Sequence, residues 1–181
     1  PMKISVEEKY TRAAPGGVGF SKNAGNYGGS MMAAKQANKS GYDQVLWTDA
    51  FEHKWLQEVG MMNVFFLVNG IAITPSLEEG TILQGVTRDS VVTLLQESGV
   101  KVEERRISID ELIAAYKAGQ LQEVFGTGTA ATIANIRELK YKDHVMQFDV
   151  DSWKVAPAIR KQLNAIRDSS VADTHNWMFR I

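Results

Sequence analysis

The clearest structural signal in the chain is the segment EVGMMNVFFLVNGIAIT, residues 58–74. Residues 64–68 are a short uninterrupted apolar run, which is typical of a buried β-strand. Asn69 and Gly70 follow, and this dipeptide is the strongest short signal for a two-residue hairpin turn. Residues 71–74 then have the pattern of a return strand. The segment therefore predicts a β-hairpin whose first strand is buried.

Helix and strand signals alternate on both sides of this hairpin. The helix that follows Ser108 is the best marked, because Ser108 and Glu111 have the spacing of a capping box. We see no linker and no internal repeat, so we expect one domain of the α+β (mixed α/β) class. The other predicted elements are a strand at 10–14, a helix at 28–39, a strand at 45–47, a helix at 88–98, a strand at 101–106, a helix at 109–117, strands at 121–125 and 132–139, a loop at 126–131 between them, a hairpin around 142–143 and a helix at 153–167.

The composition is that of an ordinary globular protein and excludes several classes of function. Apolar residues make up 44% and charged residues 23% of 181, and the net charge is −1. That balance argues against a nucleic-acid or anionic-membrane surface. No apolar stretch reaches the roughly 18 residues that span a bilayer, and no signal peptide is visible, so we expect a cytoplasmic protein. The chain has no cysteine, which removes disulfides, thiolate metal sites and cysteine nucleophiles.

Lys22 lies in the segment GFSKNAGNY, residues 19–27, where glycines are dense. Such density is typical of backbone that turns tightly or approaches a ligand closely. A lysine acts as a Schiff-base nucleophile when burial or a cationic neighbour lowers its pKa. Tyr27, near the start of the next helix, would face whatever Lys22 holds. From this segment alone, a solvated loop lysine is the simpler interpretation.

Glu58 is a carboxylate at the entrance of the apolar run. Burial of a charge without a partner is costly. Glu58 therefore either reaches water at the end of a strand or finds a cationic or donor partner, such as a protonated ring nitrogen. The pattern leaves both interpretations open.

Two segments have the features of a phosphate site. Residues 85–87, GVT, directly precede a helix, whose free N–H groups and positive end attract anions. Residues 126–130, GTGTA, offer hydroxyls and backbone that a ligand can approach closely. Each such segment alone is more often a simple turn, and neither has the lysine of a P-loop.

Other catalytic classes find little support in the sequence. The three histidines, His53, His144 and His175, lack metal-ligand spacing, so we expect no metal site. The Gly-x-Ser-x-Gly motif of the serine hydrolases is absent. Several large apolar side chains near the C-terminus are expected to pack within the fold, with a contact to another subunit as the alternative, namely Trp153, Leu163, Trp177 and Phe179.

Seven short segments carry a resemblance to a known family. They are residues 12–19 (RAAPGGVG), Lys22 with 24–27 (AGNY), 43–47 (DQVLW), 58–63 (EVGMMN), 85–88 (GVTR), 103–105 (EER) and 125–130 (FGTGTA). Taken in this order, they resemble the branched-chain amino-acid aminotransferases, which are fold-type IV pyridoxal-phosphate enzymes. The resemblance runs over nearly the whole chain, and the ordered set is far more specific than any one segment.

The resemblance implies a fold and a domain assignment. The chain would form a strand-rich pseudo-barrel with flanking helices, the C-terminal domain of the D-amino-acid and branched-chain aminotransferase-like fold. Residues 1–181 would be this cofactor-binding domain, and residues 1–20 would be the incoming interdomain segment.

The resemblance also implies roles for the residues around the cofactor, pyridoxal 5′-phosphate. Lys22 would carry the cofactor covalently and move the proton between the substrate α-carbon and the cofactor. Glu58 would keep the ring nitrogen protonated, and Tyr27 would bond the ring hydroxyl oxygen.

The remaining implied roles concern the two anions of the reaction. Val86 and Thr87, together with Thr129, would hold the phosphate. The backbone at Thr129 and Ala130 would meet the substrate carboxylate.

Family members have a further N-terminal domain, which supplies a phosphate-binding arginine and much of the substrate pocket. We therefore expect a segment to precede this chain in the complete enzyme, a homodimer. Its substrates would be leucine, isoleucine or valine and 2-oxoglutarate. Two alternatives remain open. One is a D-amino-acid transaminase or aminodeoxychorismate lyase of the same fold, and the other is a truncated, non-catalytic domain that dimerises or binds a partner.

Overall fold

A computed structural model describes residues 1–179, which form nine strands and four helices. The strands are β1 (Met2–Val6), β2 (Gln44–Thr48), β3 (Leu56–Val59), β4 (Met62–Val68), β5 (Ile71–Thr74), β6 (Val102–Glu104), β7 (Leu121–Gly128), β8 (Thr132–Tyr141) and β9 (His144–Gln147). The helices are α1 (Ala24–Lys39), α2 (Val86–Glu97), α3 (Ile109–Lys117) and α4 (Val155–Arg167), and a short 3-10 helix spans Val150–Ser152. Within residues 1–179 no helix is both long and apolar enough to cross a membrane.

Six of the strands close into a barrel. They follow the order β3-β2-β1-β8-β7-β4, and β4 pairs again with β3 to complete the ring. β1 pairs in parallel with both β2 and β8, whereas the other pairs in the ring are antiparallel. β5 and β6 extend the sheet beyond β4, and β9 adds to β8. The predicted mixed α/β fold with a barrel of strands and flanking helices is confirmed.

Residues 64–68 of β4 are all apolar because both faces of this part of the strand are buried. Val64 and Phe66 pack into the core inside the barrel, against side chains of β1, β2 and α3. Phe65 and Leu67 point to the opposite face, as the period of two in a strand requires, and pack under α2 and α4. Phe65 stacks on Phe125 of β7 with ring centroids 5.4 Å apart. β4 thus contributes side chains to both hydrophobic cores.

Two helices connect parallel strands, and a third is anchored to the sheet by a carboxylate. α1 links β1 to β2, and α2 links β5 to β6, since parallel neighbours need such a crossover. The first turn of α4 is held by Glu123 on β7, whose carboxylate accepts the backbone N–H groups of residues 154–156 at 2.7–2.8 Å. α1 and α2 place the loops that precede them, residues 19–23 and 81–85, at the barrel.

Most predicted elements are confirmed, some with different bounds. α3 has the predicted bounds, and the hairpin at residues 62–74 is present. α1 begins at Ala24 instead of residue 28, because Asn23 caps it by accepting the N–H of Asn26 at 3.1 Å. The expected packing of the C-terminal apolar residues is confirmed for Trp153 and Leu163, but Phe179 is 89% exposed.

One predicted strand is absent, and one predicted loop is shorter than expected. Residues 10–14 are not a strand. Arg12 instead turns its side chain to the carbonyls of Gly19 and Thr81. The predicted loop at 126–131 is a turn only at 129–131, because β7 continues to Gly128. Gly126 serves close packing, since a Cβ there would lie 2.9 Å from Met62 Cε.

Candidate active site

Glu58 on β3 is buried and has a partner for each carboxylate oxygen. Its Oε2 forms an ion pair with Arg12 Nη2 at 2.8 Å, and its Oε1 accepts the N–H of Leu83 at 2.8 Å. Only 2% of the residue is exposed, so the strand-end interpretation, in which Glu58 reaches water, is wrong. A carboxylate has about four acceptor positions, so Glu58 can accept a further hydrogen bond.

The proton affinity of Glu58 is unusual for a carboxylate. Burial raises its pKa to about 7, against the lowering effects of Arg12, the Leu83 N–H and Lys22. A cationic donor placed beside this carboxylate would lower the pKa again, because it favours the ionised form. Glu58 is therefore suited to pair with a protonated nitrogen.

Lys22 and Tyr27 lie beside Glu58. Lys22 Nζ is 5.7 Å from the centroid of the Tyr27 ring, and its charge is close enough to lower the pKa of Glu58. A narrow space separates Glu58 from α1. It is lined by Arg12, Asn26, Tyr27, Ser30, Glu58, Gly60, Met61 and Leu83. The structure thus brings together an amine, a phenol and a buried carboxylate that are far apart in sequence.

Asn26 holds the loop that carries Lys22. Its Nδ2 donates to the carbonyls of Val18 and Ser21, both at 2.8 Å. Asn23, directly after Lys22, is the N-cap residue of α1, and its Nδ2 donates to Ser21 Oγ at 2.7 Å. The backbone on both sides of Lys22 is therefore tied to the first turn of α1.

The N-terminus of α2 is open towards solvent. Gly85 is the N-cap residue and provides no side-chain acceptor, so the first N–H groups of the helix are left without a partner. A Cβ on Gly85 would collide with Asn63 Oδ1, so any other residue at this position would displace the Asn63 side chain. Asn63 Nδ2 donates to the Leu83 carbonyl at 2.9 Å. One loop therefore delivers the Leu83 N–H to Glu58 and exposes the positive end of α2.

Val86, Thr87 and Thr129 meet at a second cavity of about 200 Å³. Its opposite wall comes from α4 and the C-terminal segment, with Leu163, Ile166, Arg167, Trp177 and Met178. Ala130 follows Thr129 in the exposed turn at 129–131. The two segments that sequence analysis marked as anion sites thus share one cavity.

Sequence analysis missed two parts of the site. Arg12 was quoted in a motif but given no role, although burial of Glu58 in an apolar run requires a cation somewhere in the chain. The C-terminal wall of the second cavity gave no signal at all, because Arg167 and Trp177 have the pattern of ordinary helix-end and tail residues. Residues 1–179 contain no cluster of three or more acidic, histidine or cysteine residues that could hold a metal ion.

A comparison with protein families decides the relationship. The model of the family Amino-transferase class IV matches residues 10–139, which include both loops, Glu58 and the turn at 129–131. The chain belongs to the class IV aminotransferases. Enzymes of this family use pyridoxal phosphate.

Two curated relatives of this class IV aminotransferase chain are similar to it over nearly its whole length. One is the probable branched-chain-amino-acid aminotransferase of Staphylococcus aureus strain N315, 47% identical over 98% of this chain and 49% of that protein. The other is branched-chain-amino-acid transaminase 1 of Bacillus subtilis strain 168, 47% identical over 100% of this chain and 51% of that protein. The chain spans about half the length of the curated relatives that it matches.

Solved structures of class IV aminotransferases have the same fold. The branched-chain aminotransferase of Escherichia coli superposes with a TM-score of 0.83 and 26% identity, over 99% of this chain and 57% of that one. The T.th. branched-chain aminotransferase, described as complexed with N-(5′-phosphopyridoxyl)-L-glutamate, superposes with a TM-score of 0.82 at 24% identity, over 98% of this chain and 55% of that one. The second likeness supports the fold alone.

Proposed function

We propose that this chain is the lysine-bearing part of an enzyme that transfers the amino group of branched-chain L-amino acids to 2-oxoglutarate. The observation that carries the proposal is the buried Glu58–Arg12 pair beside Lys22 and Tyr27. A buried carboxylate with spare acceptor capacity, a phenol that lines the same space and an amine beside that phenol are what a pyridine ring with an aldehyde and a hydroxyl requires.

The residues present fit pyridoxal phosphate. We assign Lys22 as the covalent anchor, Glu58 as the acceptor for the ring N–H, and Tyr27 as the donor to the ring hydroxyl oxygen. Bound in this way, the cofactor would withdraw electrons from the substrate α-carbon. Lys22 Nζ would act as the base and acid that moves a proton from the α-carbon to the cofactor carbon.

The phosphate and the substrate carboxylate are assigned to the second cavity and the adjoining turn. The free N–H groups of Val86 and Thr87, at the positive end of α2, suit a phosphate. Thr129 lines the same cavity, and its hydroxyl adds a donor. We assign the backbone N–H groups of Thr129 and Ala130 to the substrate carboxylate, because the turn exposes both residues.

The substrate class, the assembly and the location are inferences from the relatives. The relatives from Staphylococcus aureus and Bacillus subtilis are named for branched-chain amino acids. We infer an N-terminal domain in the complete enzyme, since the chain covers about half of each relative. We also infer a homodimer in the cytoplasm. α1 exposes 70% of Met31 and 54% of Met32, as expected of a surface that another domain or subunit covers.

Transamination by a longer form of the protein tests the proposal. An N-terminally extended form should convert leucine, isoleucine and valine with 2-oxoglutarate, and Lys22→Ala should abolish the activity. Lys117→Ala, at an exposed position on α3, is the matched control and should leave the rate unchanged. An extended form that ignores all three amino acids would contradict the substrate assignment. Turnover of D-alanine instead would favour the D-amino-acid transaminase alternative.

A further inference from the structure

Thr132, directly after the turn at 129–131, has a strained backbone. Its φ is +59°, a left-handed conformation that β-branched residues rarely adopt. Thr132 is the first residue of β8 and pairs with Gly128 across the hairpin. Such a conformation persists only where the surroundings enforce it. Something in the fold must therefore hold Thr132.

Arg167 makes the contact that holds it. Arg167 Nη1 donates a hydrogen bond to Thr132 Oγ1 at 2.8 Å. The Thr132 side chain is buried, so a charged donor to its hydroxyl is worth more than the same bond in water. Arg167 is the last residue of α4.

α4 is itself fixed to the barrel, so it can serve as a rigid support. Its first turn is bonded to Glu123 on β7, and Ile159, Leu163 and Ile166 are buried under the sheet. The guanidinium therefore reaches Thr132 from an element with little freedom to move.

We propose that Arg167 is a positioning residue that holds Thr132 in its left-handed conformation and thereby sets the geometry of the turn at 129–131. This inference rests on the proposed function, in which the same turn receives the phosphate and the substrate carboxylate. Arg167 also lines the cavity shared by Val86, Thr87 and Thr129, so the contact lies at the edge of that site. With Thr132 held, the N–H groups of Thr129 and Ala130 stay directed outward.

A direct contact between this guanidinium and the phosphate is the competing role, and a double variant separates the two. Glycine adopts a positive φ without strain, so Thr132→Gly should make the support from Arg167 unnecessary. A direct contact with the phosphate would be lost in Arg167→Gln whatever residue stands at position 132. Arg160→Gln, at an exposed position on α4, controls for the loss of charge.

The first readout needs no cofactor. Amide hydrogen exchange of Gly128 and Thr132, which pair at the base of the turn, should be about tenfold faster in Arg167→Gln than in the unmodified chain, because the charge-assisted hydrogen bond that holds Thr132 is lost. It should be unchanged in Arg160→Gln. The double variant Arg167→Gln/Thr132→Gly should match Thr132→Gly alone. Exchange that does not change in Arg167→Gln would overturn the proposal.

The second readout compares the dissociation constants of pyridoxal phosphate and pyridoxal, followed by tryptophan fluorescence. Arg167→Gln should weaken binding of the phosphate form about tenfold and leave pyridoxal nearly unchanged. Thr132→Gly in the same background should recover most of this loss. A double variant as weak as Arg167→Gln would mean that the guanidinium binds the phosphate directly, and would overturn the positioning role. If the unmodified chain binds neither compound, the cofactor site is wrong, while the exchange data still decide whether Arg167 holds the turn.

Discussion

Arg12 offsets the free-energy cost of burying the Glu58 carboxylate, because the two side chains form an ion pair. Breaking a buried ion pair by removing one partner leaves an unpaired charge in the interior, which costs about 3–5 kcal/mol. Arg12 also donates to the carbonyls of Thr81 and Gly19 at 2.7 and 3.3 Å, so it ties the two loops of the site together.

We expect Arg12→Met to lower the free energy of unfolding by about 3–5 kcal/mol at pH 8, where Glu58 is ionised. At pH 5 the loss should be smaller, because Glu58 is then protonated and leaves no unpaired charge. Urea unfolding at both pH values measures the difference. The double variant Arg12→Met/Glu58→Gln should recover stability at pH 8. An equal loss at both pH values would show that the ion pair is not the reason.

Glu58 also predicts how stability depends on pH. Its pKa is raised from 4.5 to about 7 in the folded chain. Between these values the folded chain keeps a proton that the unfolded chain has released, so the free energy of unfolding should fall as pH rises and level off above pH 7. The fall is at most about 3 kcal/mol. Urea unfolding from pH 4.5 to 8 checks it, and Glu58→Gln should remove this component.

Asp49 affects the stability of the fold in a separate and more acidic pH range than Glu58 does. Burial raises its pKa, but the N–H groups of Phe51, Glu52, Lys54 and Trp55 together lower it to about 2. The stability from these bonds is present above pH 4 and is lost only as pH falls towards 2. Stability that rises between pH 4.5 and 7 would contradict the assignment for Glu58, since Asp49 remains ionised there.

At the scale of elements, Glu123 is the residue on which α4 depends. Its carboxylate accepts three N–H groups of the first turn, which no residue of α4 itself caps. We expect Glu123→Gln to lower the free energy of unfolding by about 2–3 kcal/mol and to speed amide exchange at residues 154–156. Glu103→Gln breaks only surface ion pairs with Lys101 and Arg105 and should leave the free energy of unfolding nearly unchanged, because exposed pairs contribute little. Equal effects of the two variants would contradict the capping role.

Sequence predicted the elements whose signals are local. α3 has its predicted bounds because Ser108 accepts the N–H of Glu111 at 3.0 Å and the apolar periodicity lies within the helix. Only half of the expected capping box forms, since the Glu111 carboxylate pairs with Arg105 at 2.6 Å. β1 escaped prediction because five residues carry little pattern, and its place is decided by pairing with β2 and β8.

The same limit applies to the site. Lys22, Tyr27, Glu58 and the two anion segments could be proposed from sequence because they lie in segments with a local signal: dense glycines, a carboxylate in an apolar run, or a loop before a helix. The sequence around Arg12 and Arg167 has no such local signal. Arg12 contacts Glu58, which lies 46 positions away, and Arg167 contacts Thr132, which lies 35 positions away. Only the folded chain brings these residues together.

At the scale of the whole molecule, closure of the barrel assembles the site. The β3–β4 pairing completes the ring and sets Glu58 opposite Asn63, which in turn fixes the loop before α2. The amine, the carboxylate and the open helix end therefore belong to one rigid frame within this chain. The phosphate-binding arginine and the substrate pocket, which we assign to an N-terminal domain, would be added to this frame by that domain.

The most direct measurement is the position at which pyridoxal phosphate becomes covalently attached. The chain is incubated with excess cofactor, reduced with borohydride, digested and analysed by mass spectrometry. We expect one label per chain, on Lys22, absent from Lys22→Ala and retained in Lys117→Ala. Label on a different lysine of the unmodified chain, or undiminished labelling of Lys22→Ala, would contradict the assignment of this lysine and of the site built around it.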